Sequence, residues 1–263
     1  MRAASTLVLL GTAAALLAAC SGTPPQAKPT ATGTKPAPSQ EPRARLGGLA
    51  AAALDAKYTA NYTYTPRSGT ARTVSVSLGA DGTWRVDIPG GALGGAANIS
   101  MLGLKDGVYQ CGAAPAPAPT GSATPGATAA PSTLPVTCAK LPSPLPAKYD
   151  PRIQHLFTDW LPPLTKPTSA LSVSATQQLA GSTGACFSVE STSASVGAPV
   201  DPGVYCYSDS GTLTGARIGT GTLVLAGTPA PPPASVPAPG PLTGTNPMQL
   251  AAVGASATPT KKP

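Results

Sequence analysis

Apolar and polar residues alternate along much of the chain, which is the pattern of half-buried β-strands. In the first such stretch Tyr58, Tyr62 and Tyr64 share one face. Further stretches of the same kind occupy residues 73–78, 84–88, 99–101, 108–111, 170–175, 186–190, 203–207 and 218–225. Turn sequences such as Asp81-Gly82 separate neighbouring stretches. The pattern predicts a β-rich α+β fold built on an antiparallel sheet.

Two segments have helical patterns. Residues 46–57 are rich in alanine. Residues 151–161 follow Asp150, and aspartate commonly caps helix N-termini. The same segment is followed by Pro162-Pro163, which we expect to end the helix. In the second segment the helical period puts four apolar side chains on one face: Ile153, Leu156, Phe157 and Trp160. We expect this face to pack on the sheet and the polar face, with Arg152, His155 and Asp159, to lie nearer to solvent.

The first twenty residues have the pattern of an export signal. Arg2 precedes an apolar stretch over residues 7–17, and small residues then lead into Cys20. The sequence Leu-Ala-Ala-Cys matches the bacterial lipobox, and this match implies that residues 1–19 are removed and that Cys20 is lipidated. An ordinary secretory signal is the alternative. We predict attachment to the extracytoplasmic face of the cell membrane through lipid, since the mature chain has no apolar stretch of membrane-spanning length.

Proline divides the rest of the chain. The segments 20–42, 113–135 and 228–263 are rich in proline and small residues. They lack the bulky apolar side chains that offset the entropy of ordering, so we predict a disordered stalk, a Pro/Ala-rich insertion and a mostly disordered C-terminal tail. We expect a single domain over residues 43–227 that carries the insertion. Two domains joined by the proline-rich segment are the alternative.

Four cysteines remain after Cys20 is assigned to lipid. They are Cys111, Cys138, Cys186 and Cys206, and an even number in an exported chain indicates disulfide bonds. Three pairings are possible, and we favour Cys111 with Cys138 and Cys186 with Cys206. The first pair would staple the base of the Pro/Ala insertion, and the second would join two strand-like segments across a turn. Metal binding is the alternative, but the spacing contains no CxxC pair.

Composition narrows the possible chemistry. The chain is 41% hydrophobic but only 4% aromatic and 10% charged, and its net charge of +7 is scattered, unlike the basic patch of a nucleic-acid-binding protein. The single histidine, His155, excludes a two-histidine metal site, and we interpret His155 and Asp159 as a surface pair, not as part of a hydrolytic triad. We predict a non-enzymatic protein without a metal or cofactor.

The arrangement resembles one family. A lipobox, a proline-rich stalk, the tyrosine-rich residues 58–64, the hairpin at residues 81–87 and the strand that ends at Cys111 are similar to LolA-like envelope lipoproteins of the actinobacterial LppX/LprG kind. The resemblance implies a curved antiparallel half-barrel packed on a few helices, with an apolar cavity for acyl chains. It also implies transport of lipids or lipoproteins across the envelope. The Pro/Ala insertion and the second cysteine pair depart from the family.

The resemblance leads to a functional hypothesis. Alternation puts Val76, Trp84, Val86 and Met101 on the side of the sheet that faces the helices, and with Leu223 they are the candidate ligand-lining residues. We expect the protein to bind or carry a lipid or another apolar envelope ligand in a cavity beneath the sheet. The alternative is a cell-surface interaction or sensory module whose core is filled. The sequence identifies no protein partner.

Overall fold

The structure, a computed structural model, describes residues 40–113, 135–192 and 197–251. All of these residues belong to one compact unit, Pro36–Pro263. The predicted signal peptide, Cys20, residues 20–39 of the predicted stalk, nearly all of the Pro/Ala insertion and the end of the C-terminal tail lie outside the described residues. In the part of the chain that is described, one curved and unclosed antiparallel sheet of eleven strands dominates the fold.

The elements follow one another in two similar series. Helix α1 spans Gln40–Asp55 and precedes six strands: β1 Thr59–Pro66, β2 Arg72–Leu78, β3 Trp84–Ala92, β4 Ala97–Leu104, β5 Gly107–Gly112 and β6 Thr137–Lys140. Two short 3₁₀ helices, Ala147–Tyr149 and Ile153–Phe157, and helix α2, Leu161–Thr165, precede the other five strands: β7 Leu171–Thr176, β8 Ala185–Ser191, β9 Gly203–Tyr207, β10 Leu213–Ile218 and β11 Gly221–Ala230. A further 3₁₀ turn, Leu93–Gly95, follows β3.

Two meanders make up the sheet. Strands β1 to β6 pair in chain order, as do β7 to β11, and the two sets are joined where β1 pairs with β11. In this pairing Tyr62 lies opposite Leu225 and Tyr64 lies opposite Leu223. Strands β6 and β7 are therefore the two edges of the sheet.

The main hydrophobic core lies between the concave face of the sheet and the helices. Helix α1 contributes Leu46, Leu49, Ala50 and Ala53, which are buried and recur at the helical spacing of three and four residues. Helix α1 also contacts α2 and β7, while the 3₁₀ helix Ile153–Phe157 contacts β3 and β10. The helical segments thus cover the inside of the curve.

The helix expected over residues 151–161 is not formed, and this prediction is wrong. Arg152 has a φ of 67°, so a right-handed α-helix cannot begin there, and the following residues form a 3₁₀ helix. The prolines at 162 and 163 lie in the first turn of α2, where the missing N–H groups cost nothing, so they begin a helix instead of ending one. The four apolar residues of the predicted face are nevertheless buried.

The C-terminal tail differs from the expectation of a mostly disordered segment. Strand β11 continues to Ala230, and residues 231–251 lie along the first half of the sheet. Val236 is buried there in a second apolar cluster, on the convex face, with Leu102, Tyr109 and the side chains of Cys111 and Cys138.

Backbone hydrogen bonds fasten this tail to the edge strand β6. Cys138 N–H donates to the carbonyl of Pro241 at 2.9 Å, and Gly244 N–H donates to the carbonyl of Cys138 at 3.0 Å. Main-chain bonds of this kind are independent of side-chain type, which is why a proline-rich and alanine-rich composition does not reveal them.

The two disulfide bonds join Cys111 with Cys138 and Cys186 with Cys206, the pairs that the sequence favours. In each pair the two residues lie directly opposite each other on neighbouring strands, β5 with β6 and β8 with β9. Their Cα atoms are 3.9 Å and 4.0 Å apart. Such short separations are typical of the non-hydrogen-bonded positions of an antiparallel pair.

The buried Val236 gives a first prediction. Val236→Ala is expected to lower the free energy of unfolding by about 1–3 kcal/mol, because the side chain is 3% exposed and packs on the convex cluster. Val136→Ala is the matched control, since that valine is 37% exposed and its truncation should change little. Urea denaturation of both variants measures the difference. Equal midpoints would show that the tail does not contribute to stability.

Candidate functional site

An open groove with a volume of about 770 Å³ lies between helix α1 and the edge strand β7. Its volume is in the range of small-molecule binding sites. Seven of its eleven lining residues are apolar or glycine: Ala44, Gly47, Gly48, Leu164, Pro167, Leu171 and Val173. The polar ones are Arg43, Thr165, Ser172 and Thr192. The groove therefore exposes apolar and polar groups side by side.

Two consecutive glycines in α1 keep the groove open. At Gly48 no atom lies within 4 Å of the position that a Cβ would occupy, so the missing side chain leaves free space. At Gly47 that position is 3.6 Å from the carbonyl oxygen of Leu164, which is ordinary van der Waals contact. A side chain at the first position would thus only touch α2, whereas the second glycine leaves the helix backbone itself as a wall of the groove.

Arg43 holds the two walls of the groove together. Its Nη1 donates to the carbonyl of Leu171, and its Nη2 donates to the carbonyls of Lys166 at 2.7 Å and Ser169 at 3.1 Å. These bonds fix the first turns of α1 to the segment between α2 and β7. Among the described residues no carboxylate forms an ion pair with this guanidinium.

The candidate ligand-lining residues lie elsewhere on the concave face. Val76, Val86 and Met101 are directly opposite one another on three adjacent strands, and all three are fully buried. Leu223 is also buried, and Trp84 is partly buried against the same cluster. The structure thus brings these residues into the main core, and none of the five is among the lining residues of the groove.

Aromatic side chains fill the middle of that core. The ring of Tyr62 packs on Phe157 with centroids 5.2 Å apart, and Trp160 meets Tyr205 edge-on at 6.5 Å. The Tyr62 hydroxyl donates to the carbonyl of Leu213 at 2.9 Å, and burial raises the pKa of Tyr62 well above its ordinary value. These contacts rigidify the centre of the concave side.

Away from the groove, His155 lies in a polar cluster, between two carboxylates. Its Nε2 is 2.9 Å from Asp150 Oδ2 and its Nδ1 is 3.1 Å from Asp159 Oδ2. The side chains of His155 and Asp150 are each 12% exposed, whereas Asp159 is 76% exposed. His155 does contact Asp159, as expected, but the expectation that His155 itself lies near solvent is wrong, because Asp150 and the ring of Trp160 cover it.

The surroundings of His155 favour its charged form. Burial lowers the pKa of His155, but the hydrogen bonds with Asp150 and Asp159 outweigh burial and raise the pKa to about 9. Burial raises the pKa of Asp150, and its hydrogen bonds with His155 and Gln154 outweigh this effect and lower it. A protonated imidazole with both nitrogens bonded to carboxylates cannot accept a proton from a serine, which is what a triad histidine does.

Comparisons with known proteins identify no relative. No protein-family model, no curated protein and no solved structure matches the chain significantly. The resemblance to LolA-like lipoproteins therefore stays a prediction. In the described ranges no group of three or more His, Cys, Asp or Glu side chains could hold a metal ion. Within those same ranges no helix is long and apolar enough to span a membrane.

The groove was not foreseen from the sequence. The one available signal was the Gly47-Gly48 pair inside an alanine-rich helix, since glycine in a helix interior is unfavourable without a structural reason. The residues that complete the groove, Leu164 to Val173, are more than a hundred positions away in the chain. Local patterns contain no information about which strand faces these glycines.

The His155 cluster gives a second prediction, on the pH dependence of stability. Because the folded pKa of about 9 exceeds the ordinary 6.5, the histidine's contribution is fully present below pH 6.5 and is lost as the pH rises through 9. We expect the free energy of unfolding to fall by about 1–3 kcal/mol over this range. His155→Gln should remove that fall, measured by denaturant unfolding at several pH values. An unchanged slope in the variant would assign the effect to other groups.

Proposed function

We propose that this chain is a lipid-anchored envelope protein that binds an acyl chain or a similar apolar ligand in the groove between α1 and β7. The groove is the observation that supports the proposal, because it is large, has apolar residues among its walls and is open at one edge of the sheet. An apolar ligand in this position would contact the edges of Leu171 and Val173, which the fold already buries, and lie along the bare backbone at Gly48. Burial of its methylene groups would drive binding.

The coarse architecture supports the same proposal. A curved, unclosed antiparallel sheet with helices on its concave side is the arrangement that the resemblance to LolA-like lipoproteins implies. Such a fold leaves an opening along the unpaired edge, and the groove lies at that edge. The proposed site is therefore at the margin of the concave face and not beneath its centre.

A second candidate function rests on a different observation. Val76, Val86 and Met101, which we expected to line a cavity, are fully buried in one continuous core with the helices. A filled centre is what an interaction or sensory module without an internal ligand requires. The groove favours the first candidate, because a module that works only through its surface loops needs no apolar space of this volume.

Gly48→Leu is the variant that tests the groove. The leucine side chain would occupy free space, so the variant should fold at least as stably as the wild type and gain up to about 1 kcal/mol from helix propensity. We expect binding of a fluorescent fatty acid to weaken at least roughly tenfold, a loss of about 1.4 kcal/mol. Fluorescence titration measures binding, and thermal unfolding measures stability.

Gly48→Ala is the matched control for this experiment. It makes a similar change in helix propensity but adds only one methyl group to the groove, so it should keep most of the probe binding. If Gly48→Leu binds the probe as tightly as the wild type does, the ligand site lies outside the groove. A wild type that binds no probe would contradict the proposed function and favour the interaction module.

Membrane attachment gives a separate prediction. Cys20→Ala should move the protein from the membrane fraction to the soluble fraction, because we expect lipid on Cys20 to be its attachment. Fractionation with a salt wash, followed by immunoblotting, measures the change, and the intact mass of the wild type should include added acyl groups. A variant that stays on the membrane, with no acyl mass on the wild type, would contradict the lipoprotein assignment.

A further inference from the structure

The two edges of the sheet differ in whether another segment of the chain bonds to their main-chain groups. At the β6 edge, both outward main-chain groups of Cys138 are bonded to the C-terminal tail, at Pro241 and Gly244. At the β7 edge no strand or tail segment pairs with Leu171–Thr176 among the described residues. The tail therefore covers the β6 edge at Cys138, whereas no segment in the described part of the chain covers β7.

The register shows which groups of β7 are unpaired. Thr192 N–H donates to the carbonyl of Ala170, and the residue pairs of β7 and β8 continue this register. Because bonded pairs alternate along an antiparallel ladder, Ser172 and Ser174 point their main-chain groups toward β8. Val173 and Ala175 point theirs away from the sheet, and neither has a hydrogen-bond partner within the described part of the chain.

The open stretch is bounded at one end. Leu171 also faces outward, but its N–H donates to the carbonyl of Ser169 at 2.7 Å and its carbonyl accepts from Arg43. Two residues, Val173 and Ala175, are thus left with one free donor and one free acceptor each. They are symmetric about Ser174, whose exposed side chain is on the convex face.

The edge also lacks the features that prevent strand pairing. Natural edge strands usually carry lysine, proline or a bulge that blocks the approach of another strand. Strand β7 has the sequence Leu-Ser-Val-Ser-Ala-Thr, without charge or proline, and its register with β8 is regular over all six residues. It is an uncharged edge with a regular register.

We propose that β7 pairs with β7 of a second copy of this chain, in antiparallel orientation about a two-fold axis at Ser174. In this register Val173 lies opposite Ala175 of the second copy, and Ala175 opposite Val173. Each of these pairs exchanges two hydrogen bonds, so every free group of both edges is satisfied. Because the β6 edge is covered, the pairing closes as a dimer and does not continue into a fibre.

The two-fold axis fixes one diagnostic contact. Ser174 would face its own copy at a non-hydrogen-bonded position, where Cα atoms are about 4.5 Å apart. The two native disulfides occupy positions of this kind, at 3.9 Å and 4.0 Å. A cysteine at position 174 is therefore placed to cross-link, whereas a cysteine at 172 would face Thr176 of the second copy and have no thiol opposite it.

The experiment uses the full chain, exported and purified from membranes in mild detergent. Ser174→Cys is expected to give mostly a disulfide-linked species of twice the chain mass under a mild oxidant, and Ser172→Cys, the matched control, to give several-fold less. Ala175→Pro in the Ser174→Cys background removes one outward donor without touching the bonds to β8. It should reduce cross-linking several-fold, while Ala175→Pro alone, with both native disulfides intact, should unfold at the same temperature as the wild type.

Four results would overturn the proposal. Equal cross-linking at positions 172 and 174 would show random collision, and full cross-linking in the proline variant would show an interface elsewhere. A cross-linked band of another mass would show that the edge takes a different protein. Sedimentation of the wild type provides a measurement that needs no variant, and a monomer at all concentrations would also contradict the dimer. The lipid-binding proposal is unaffected by these outcomes.

Discussion

The pairing of β1 with β11 is the constraint on which the rest of the fold depends. It joins strands that are more than 150 residues apart, and it unites two meanders that would otherwise each be a small sheet with a half-covered face. Tyrosines of β1 strengthen the joint, because the Tyr62 hydroxyl donates to the carbonyl of Leu213 and the Tyr64 hydroxyl to that of Thr220, both at 2.9 Å. Once the sheet is continuous, its curvature creates one concave face, and the helical segments bury that face together.

The groove and the open edge are consequences of this arrangement. The order of strands makes β6 and β7 the two ends of the sheet, and the C-terminal tail covers only β6. Helix α1 lies across the concave side and reaches β7, where Arg43 bonds to the carbonyl of Leu171. The space beside the strand stays open because the helix has glycines there, which have no side chains to fill it. The proposed ligand site and the proposed dimer interface are thus neighbours, although they use different groups: side chains and a bare helix backbone for the ligand, and main-chain N–H and carbonyl groups for the second copy.

Much of the sheet could be predicted because alternation is a local signal. Tyr62 and Tyr64, then Val74 and Val76, are buried as their spacing indicates, and the strand at residues 203–207 has the predicted bounds. The sequence does not predict strand β6, because its four residues lie between proline-rich segments. The helix predicted over residues 151–161 is wrong because Arg152 adopts a left-handed backbone conformation, which side-chain periodicity does not reveal. The groove could not be predicted, since it depends on the meeting of Gly48 with a strand far along the chain. The candidate residues Val76, Val86 and Met101 had the pattern of core positions, and the sequence did not distinguish a packed core from a lined cavity.

Native mass spectrometry of the protein extracted from its own envelope is the direct test of ligand binding in the groove. We predict two kinds of added mass: a covalent anchor that remains after denaturation, and a second, apolar molecule that dissociates when the protein unfolds. The dissociated molecule should be extractable into organic solvent and identifiable as a lipid. A protein that carries only the covalent anchor, in preparations where the groove is accessible and the fold is intact, would contradict ligand binding in the groove.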